Sequence, residues 1–427
     1  MFKKQFRIVL VGLMLGITSF LVVPRIISAV PKPLGTQKIG IVGQFTTNDL
    51  PERVLNELSY GLTKFESNGG IQPSLAQKWT TLDEGKTYIF DIKKDEIYWH
   101  DGEKFKVSDI NYNFKEIGFT ANDEQVTFSL KEPYSPFPGI VSKPLFKKGL
   151  IGLGDYKIKR IERIGKYVKS VHLVPVWDNS LPKKVFKFYR TENELKTAFN
   201  LGEIDIIERA FDIENMYFSD SVNVIKNVMN EAYLGIFFDT RKAPFSEKTF
   251  RQALAYAIPK DTSVLRALGP IDPDSWAYNP DVKPYNQDIA RAKELLGDGE
   301  SLKNIMIKIL TLPQYEQVAN MVKESWNQIG IESTIQIVTF IPENFDVLIA
   351  AREVPKDPDQ YILWHSNQEA NLSGFSSLRI DKLLEDGRIM TDKEQRKDIY
   401  FDFQRFLVEE SPVIFLSHPT TFIIERK

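Results

Sequence analysis

The sequence predicts an α/β protein made of more than one compact unit, on three observations. The chain has 427 residues, well beyond the roughly 100–200 of a typical single domain. Strand-like and helix-like stretches alternate, at residues 185–207 and again at 305–338, as in sheets covered by helices. Between these stretches, an apolar aromatic run, Tyr233-Leu-Gly-Ile-Phe-Phe238, leads through Pro244 into a stripe of Phe250, Leu254, Ala257 and Ile258 at helical spacing.

Composition narrows the function. Basic and acidic residues number 55 and 57, a net charge of −2, so no basic surface for nucleic acid is expected. The chain has no cysteine, which rules out disulfides, thiolate metal sites, a cysteine nucleophile and a lipid-modified N-terminal cysteine. The four histidines, His100, His172, His365 and His418, are far apart, and none pairs at the i, i+4 spacing of a helical metal site. Neither a cofactor nor a metal is expected.

Taken in order, residues 1–29 read as a targeting segment. Lys3, Lys4 and Arg7 precede an uncharged run at 8–23, and Ser28-Ala29 offers a cleavage site. Ile27 is larger than the small residue preferred two positions before such a site, so an anchor retained over residues 8–27 is expected. Residues 30–37, with Pro31, Pro33 and Gly35, are a linker. A first strand is expected at 39–42 and a helix at 50–62. Residues 70–114 read as strands with tight turns: Tyr88, Phe90 and Ile92 share one face, Asp83-Glu-Gly85 and Asp101-Gly102 make turns, and Val107-Ser108-Asp109 opens a helix. His100-Asp101 is read as turn chemistry rather than a catalytic dyad.

Residues 185–207 read as strand, helix and strand, with Gly202 ending the helix. Ser246 is the expected N-cap of the helix that Pro259 stops. A capped helix follows at 286–296, then strand 305–310, helix 314–329 ended by Gly330, strand 331–338 and strand 345–349. Together these predict a mostly parallel sheet. Helices are expected from Asp381 and over 392–408, before a last apolar run at 411–419. No Gly-x-Ser-x-Gly, His-Glu-x-x-His or Walker loop is present. Glu409 and Glu410 stand beside a helix end and read as solvated. An enzyme is not expected.

Two stretches resemble a known family. One is Pro73-x-Leu75-Ala76-x-x-Trp79, then Gly85-Lys86-x-Tyr88-x-Phe90, then His100-Asp101-Gly102-x-x-Phe105-x-x-x-Asp109. The other is the aromatic strand, Asp239-Thr240, Lys242-x-Pro244-Phe245 and Arg251-Gln-Ala-Leu-x-Tyr-Ala-Ile258. Both are similar to the family 5 extracytoplasmic solute-binding proteins, the oligopeptide- and dipeptide-binding subunits of ABC importers.

The resemblance implies a two-lobed periplasmic-binding-protein-like fold with two crossover strands and a trimmed extra subdomain in lobe 1. Lobe 1 would comprise 38–235 plus 412–427, and lobe 2 would comprise 236–411. It implies a monomeric receptor on the outer face of the cytoplasmic membrane or in the periplasm. Such a receptor closes over a peptide or other small solute and delivers it to ABC permease and ATPase subunits. In peptide-binding relatives an aspartate shortly before an Asp-Pro pair meets the ligand amine; here Val354 stands at that position before Asp357-Pro358, with Glu353 one residue earlier. The ligand-binding set expected on this basis is Glu353, Asp357, Tyr361, Trp364, Tyr233, Asn48 and His418. Val354 and the shortened lobe 1 motivate one alternative, a membrane-tethered scaffold of the same fold that has lost solute binding.

Overall fold

The computed structural model describes residues 35–426, apart from Tyr217, Ser219, Thr262 and 298–304. The expected N-terminal anchor therefore lies outside the described residues. Among those described, no helix is long and apolar enough to cross a membrane. The chain divides into two compact units. One holds the described residues up to Glu57 together with Asp155–Ile206; the other holds Leu58–Gly154 and everything from Ile207 onward.

In the first unit Gln37–Val42 pairs in parallel with Lys184–Tyr189, and that strand pairs antiparallel with Tyr167–Pro175. Tyr156–Ile164 completes the ribbon. The helix Glu192–Asn200 is capped by Thr191, whose hydroxyl accepts the Glu194 N–H. The expected strand at 204–207 forms two residues later, as Ile206–Ala210. Asp205, just before it, is tied to Lys38 twice, its carboxylate accepting the Lys38 N–H at 3.2 Å and its own N–H donating to Lys38 O at 2.8 Å.

The second unit begins with a small subdomain, Leu58–Gly154. Its sheet runs in the order Ala76–Leu82, Thr87–Ile92, Gln125–Ser129, Gly118–Ala121. The alternation read from the sequence is present: Tyr88, Phe90 and Ile92 are buried and join Phe128 and Phe137 in an aromatic core. His100 is structural. Its Nδ1 accepts the Gly152 N–H at 3.2 Å, leaving Nε2 to donate to the Gly154 carbonyl at 2.9 Å. The helix expected from Val107 is only a single turn, Val107–Asp109. Two side-chain ties compete with it. Asp109 accepts the Trp99 indole N–H at 2.9 Å, and the Tyr112 hydroxyl donates to Val141 O at 2.7 Å while accepting Leu62 N–H at 3.1 Å. These bonds hold the following backbone extended.

The larger body of this unit surrounds a five-stranded sheet, in the order Glu332–Ile337, Met306–Thr311, Val347–Glu353, Ala232–Phe238, Val413–Ser417. The sheet is mixed rather than mostly parallel. Met306–Thr311 pairs in parallel with both its neighbours. Ala232–Phe238, however, lies antiparallel between Val347–Glu353 and Val413–Ser417. All seven of its residues are buried, which explains a continuous apolar run in place of alternation. Phe238 stacks on Phe245 at 5.5 Å and faces Trp326 at 6.4 Å.

The helix Lys248–Ala257 lacks the Ser246 cap that the sequence suggested; Glu247 precedes it without a side-chain bond. Arg251, in the first turn, anchors this end of the helix through carbonyl groups instead. Its buried guanidinium donates to the carbonyls of Phe245, Ser246, Glu410 and Ser411, tying the start of this helix to the end of the helix Lys393–Glu410.

Candidate functional site

Within the second unit, a cavity of about 220 Å³ opens between the small subdomain and the larger body. Its walls follow from simple rules. On the strand Ala76–Leu82, Trp79 and Thr81 are two residues apart and so share a face. Tyr88 stands directly across from Thr81 on the paired strand, and all three line the cavity. Burial pushes the Tyr88 hydroxyl up to about 12, and that hydroxyl donates to Tyr134 O at 3.0 Å.

The opposite wall is the Asp357-Pro358-Asp359 turn and the two helices behind it. Asp357 accepts both terminal nitrogens of Arg396, at 3.0 and 2.6 Å. Arg396 lies in the first turns of the helix Lys393–Glu410, which is capped by Asp392. Its Nε donates to Gly387 O at 2.8 Å. Burial works against this guanidinium's charge, but the adjacent Asp357 carboxylate outweighs it and holds the group above the ordinary arginine range.

Asp359 makes a parallel pair with Arg388 of the helix Leu378–Ile389, at 2.9 and 3.2 Å. Gly387 sits between these pairs because a Cβ there would lie 2.8 Å from the Tyr400 ring. Trp276 closes one side, with Lys393 Nζ 5.3 Å and Arg396 Cζ 5.7 Å from its ring. Each such contact is worth roughly 0.5–2 kcal/mol.

The small subdomain is fastened over this wall. Ser135 donates its N–H to Arg388 O at 2.6 Å and its hydroxyl to Gly387 O at 3.3 Å. The Arg388 guanidinium lies 5.4 Å from the Tyr134 ring. Trp276 N–H donates to Asn68 O at 3.0 Å. At Gly69, which has a φ of +73°, a Cβ would come within 2.3 Å of Lys356 O. That loop therefore rests directly on the backbone just before Asp357.

The residues expected from sequence are dispersed. Asp357 lines the cavity. Tyr361 lies beside it, stacked 4.0 Å from the Arg388 guanidinium and 4.2 Å from the His365 ring. Glu353 ends the strand Val347–Glu353, and its largely exposed carboxylate accepts Arg209 Nη1 at 3.1 Å. Val354 is partly buried against the core.

Trp364 and Tyr233 are fully buried in the body's core, the latter 4.8 Å from the Phe415 ring. Burial raises the Tyr233 hydroxyl well above its ordinary value. His418 is buried with Nδ1 2.8 Å from Ala232 O, and desolvation lowers its proton affinity. Asn48 is exposed in the first unit, within the Thr46–Asp49 turn. Sequence reading missed Arg396, Arg388, Lys393 and Trp276. Their partners are distant in sequence, Arg396 standing 39 residues from Asp357. Among the described residues no cluster of three or more acidic or histidine side chains suits a metal ion.

A mixed α/β body joined to a small β-subdomain over a polar and aromatic cavity is built to receive a solute. The chain belongs to the bacterial extracellular solute-binding proteins, family 5, whose middle region matches residues 70–129 and 119–373. It is a receptor of the kind that serves ABC importers.

It is similar to the dipeptide-binding protein of Escherichia coli strain K12, at 23% identity over 447 residues covering 84% of this chain and 82% of that protein. It is also similar to the oligopeptide-binding protein AppA of Bacillus subtilis strain 168, at 25% over 477 residues covering 91% and 87%. Among solved structures, the ABC transporter substrate-binding protein CtaP of Listeria monocytogenes shares the fold with a TM-score of 0.78. That match has 19% identity and covers 92% and 94% of the two chains.

The ion pair at the cavity wall carries a stability prediction. Asp357→Ala leaves a buried guanidinium without its carboxylate, and unfolding in urea should show a loss of about 3–5 kcal/mol. The double change Asp357→Leu with Arg396→Met should recover most of that loss, since apolar replacement of a whole buried pair is commonly near neutral. A double variant as unstable as the single one would contradict this assignment.

Proposed function

We propose that the protein captures short peptides or peptide-like solutes outside the cytoplasmic membrane, as a monomer, and presents them to an ABC permease and its ATPase. The observation that carries the ligand class is the cavity. At about 220 Å³ it exceeds the roughly 150 Å³ that accepts a benzene ring, yet it is smaller than the roughly 300–1,000 Å³ of pockets for drug-sized ligands. One large side chain, or the end residue of a short peptide, suits that space. Trp79 and Trp276 offer apolar surface, and Asp357 and Arg396 neutralise each other. Lys393 remains as an additional cation in the lining, so a ligand carboxylate is the favoured charged group.

For the ligand's amine the proposed partner is Glu353, despite the share of its charge taken by Arg209. The crossovers belong to the same reading: Ala232–Phe238 and Val413–Ser417 pair side by side. On this proposal they are the strands about which lobes 38–235 plus 412–427 and 236–411 move. The receptor is further proposed to be tethered through residues 8–27. Native protein recovered with membranes and retaining residue 1 in its intact mass supports the tether, whereas soluble protein beginning near residue 30 contradicts it.

Native mass spectrometry of the purified protein should reveal a co-purified peptide-sized ligand. Titration calorimetry against di- and tripeptide pools should then show binding that Glu353→Gln weakens about tenfold, equivalent to roughly 1.4 kcal/mol. Unchanged affinity would remove Glu353 from the site. Absence of both a co-purified ligand and any binding would favour a scaffold that no longer takes a solute.

A further inference from the structure

The hairpin of Tyr156–Ile164 and Tyr167–Pro175, in the first unit, carries a charge that the solute cavity does not use. Residues 157–169 hold six cations, Lys157, Lys159, Arg160, Arg163, Lys166 and Lys169, and one acid, Glu162. That is a net charge of +5 in a chain whose total is −2, which leaves the remainder at −7. All six cations are exposed. Glu162 is engaged locally: it pairs with Arg160 at 2.8 Å and accepts the Ser170 hydroxyl at 2.8 Å. Among the described residues, the other five cations have no salt-bridge partner.

The tip of the hairpin is built, with an apolar end. Ile164 and Tyr167 stand opposite each other across the two-residue turn Gly165-Lys166, in which Gly165 takes a φ of +59°. Behind the turn, the buried Val168 donates its N–H to Phe45 O at 2.8 Å. Ile164 is 64% exposed, and Lys166 Nζ lies 5.2 Å from the Tyr167 ring. Edge protection accounts for part of this pattern. Tyr156–Ile164 is the last strand of its sheet, and lysines and bulges on such a strand keep others from pairing with it. Bulges at Ile158/Arg160 and Glu162/Arg163 already interrupt the ladder. Five unpaired cations around an exposed isoleucine exceed what that role requires.

An acidic protein surface answers the charge but not the apolar tip. A bilayer of anionic lipid answers both, since its headgroups take the cations and its acyl boundary takes Ile164 and Tyr167. The bilayer is also within reach of the proposed tether. Residues 8–27 lead within ten residues into Gln37–Val42, which lies two strands from Tyr167–Pro175. The tip lies beyond the Val42 end, roughly 20–25 Å from Gln37, and ten residues span up to about 33 Å. We propose that this hairpin rests on an anionic phospholipid surface, with Ile164 and Tyr167 at the headgroup boundary and the surrounding cations on phosphates. The contact is independent of the solute cavity and of whether the tether is retained.

The chain has no cysteine, so Ile164→Cys gives a unique attachment point for a polarity-sensitive fluorophore. On the full-length protein, the label should shift to the blue with vesicles containing phosphatidylglycerol and stay unchanged with phosphatidylcholine alone. Raising sodium chloride from about 0.1 to about 0.5 M should reverse the shift by screening. Changing Lys159, Arg163 and Lys166 together to glutamine should weaken the vesicle response about 100-fold, at about fivefold per cation. A label that ignores both lipids, or responds equally to both, overturns the proposal. So does a shift that needs no vesicles and grows with protein concentration, which marks contact between copies instead. If the triple variant fails to fold by circular dichroism, the comparison of the two lipids decides. Membrane fractionation reports on the tether separately, so either idea can fail without the other.

Discussion

The bidentate pair between Asp357 and Arg396 is the interaction on which the candidate site depends. It fixes the Asp357-Pro358-Asp359 turn to the start of the longest helix in the described chain, and the Asp359–Arg388 pair repeats the arrangement on the preceding helix. A buried pair of this kind adds little net stability over apolar packing, but it is costly to break from one side. Its value here is positional. With both arginines committed, Gly387 O and Arg388 O lie where Ser135 of the small subdomain can bond to them, and Trp276 packs against the same cationic surface. The cavity between the two parts of this unit is a consequence of those fixed heads.

Much of the fold was legible because it depends on short-range rules. The alternation of Tyr88, Phe90 and Ile92 specified a strand with one buried face, and Gly202, with positive φ, follows the end of the helix Glu192–Asn200 as expected. The helix expected to reach residue 329, by contrast, stops at Asn327, three residues before Gly330. The readings that failed did so where a distant group overrode a local preference. Ser246 is a good cap by type, yet the helix begins only at Lys248 behind Glu247, while Arg251 holds the Phe245 and Ser246 carbonyls. Val107-Ser108-Asp109 has helix-start chemistry, but Trp99 and Tyr112 bind groups that hold the next residues extended. The mostly parallel sheet became mixed because Ala232–Phe238 pairs antiparallel with both of its neighbours.

The site was less legible than the fold for the same reason. Asp357 was found through its neighbouring proline and its resemblance to relatives, whereas Arg396 has no local mark and acquires meaning only when the helix brings it to Asp357. Trp364 and Tyr233 show the converse: aromatic residues in suggestive segments that the fold uses to fill its core. In the segment 350–356 before Asp357-Pro358 the one acidic residue, Glu353, is already shared with Arg209. Ligand class therefore rests on the balance of charge around the cavity rather than on one motif position.

The most direct test of this account is a crystal structure of the protein purified with whatever solute it retains from its host. The account predicts ligand density in the cavity bounded by Trp79, Trp276 and Arg396, with a carboxylate directed to Lys393. Density for a solute held elsewhere, with this cavity holding only water, would contradict it.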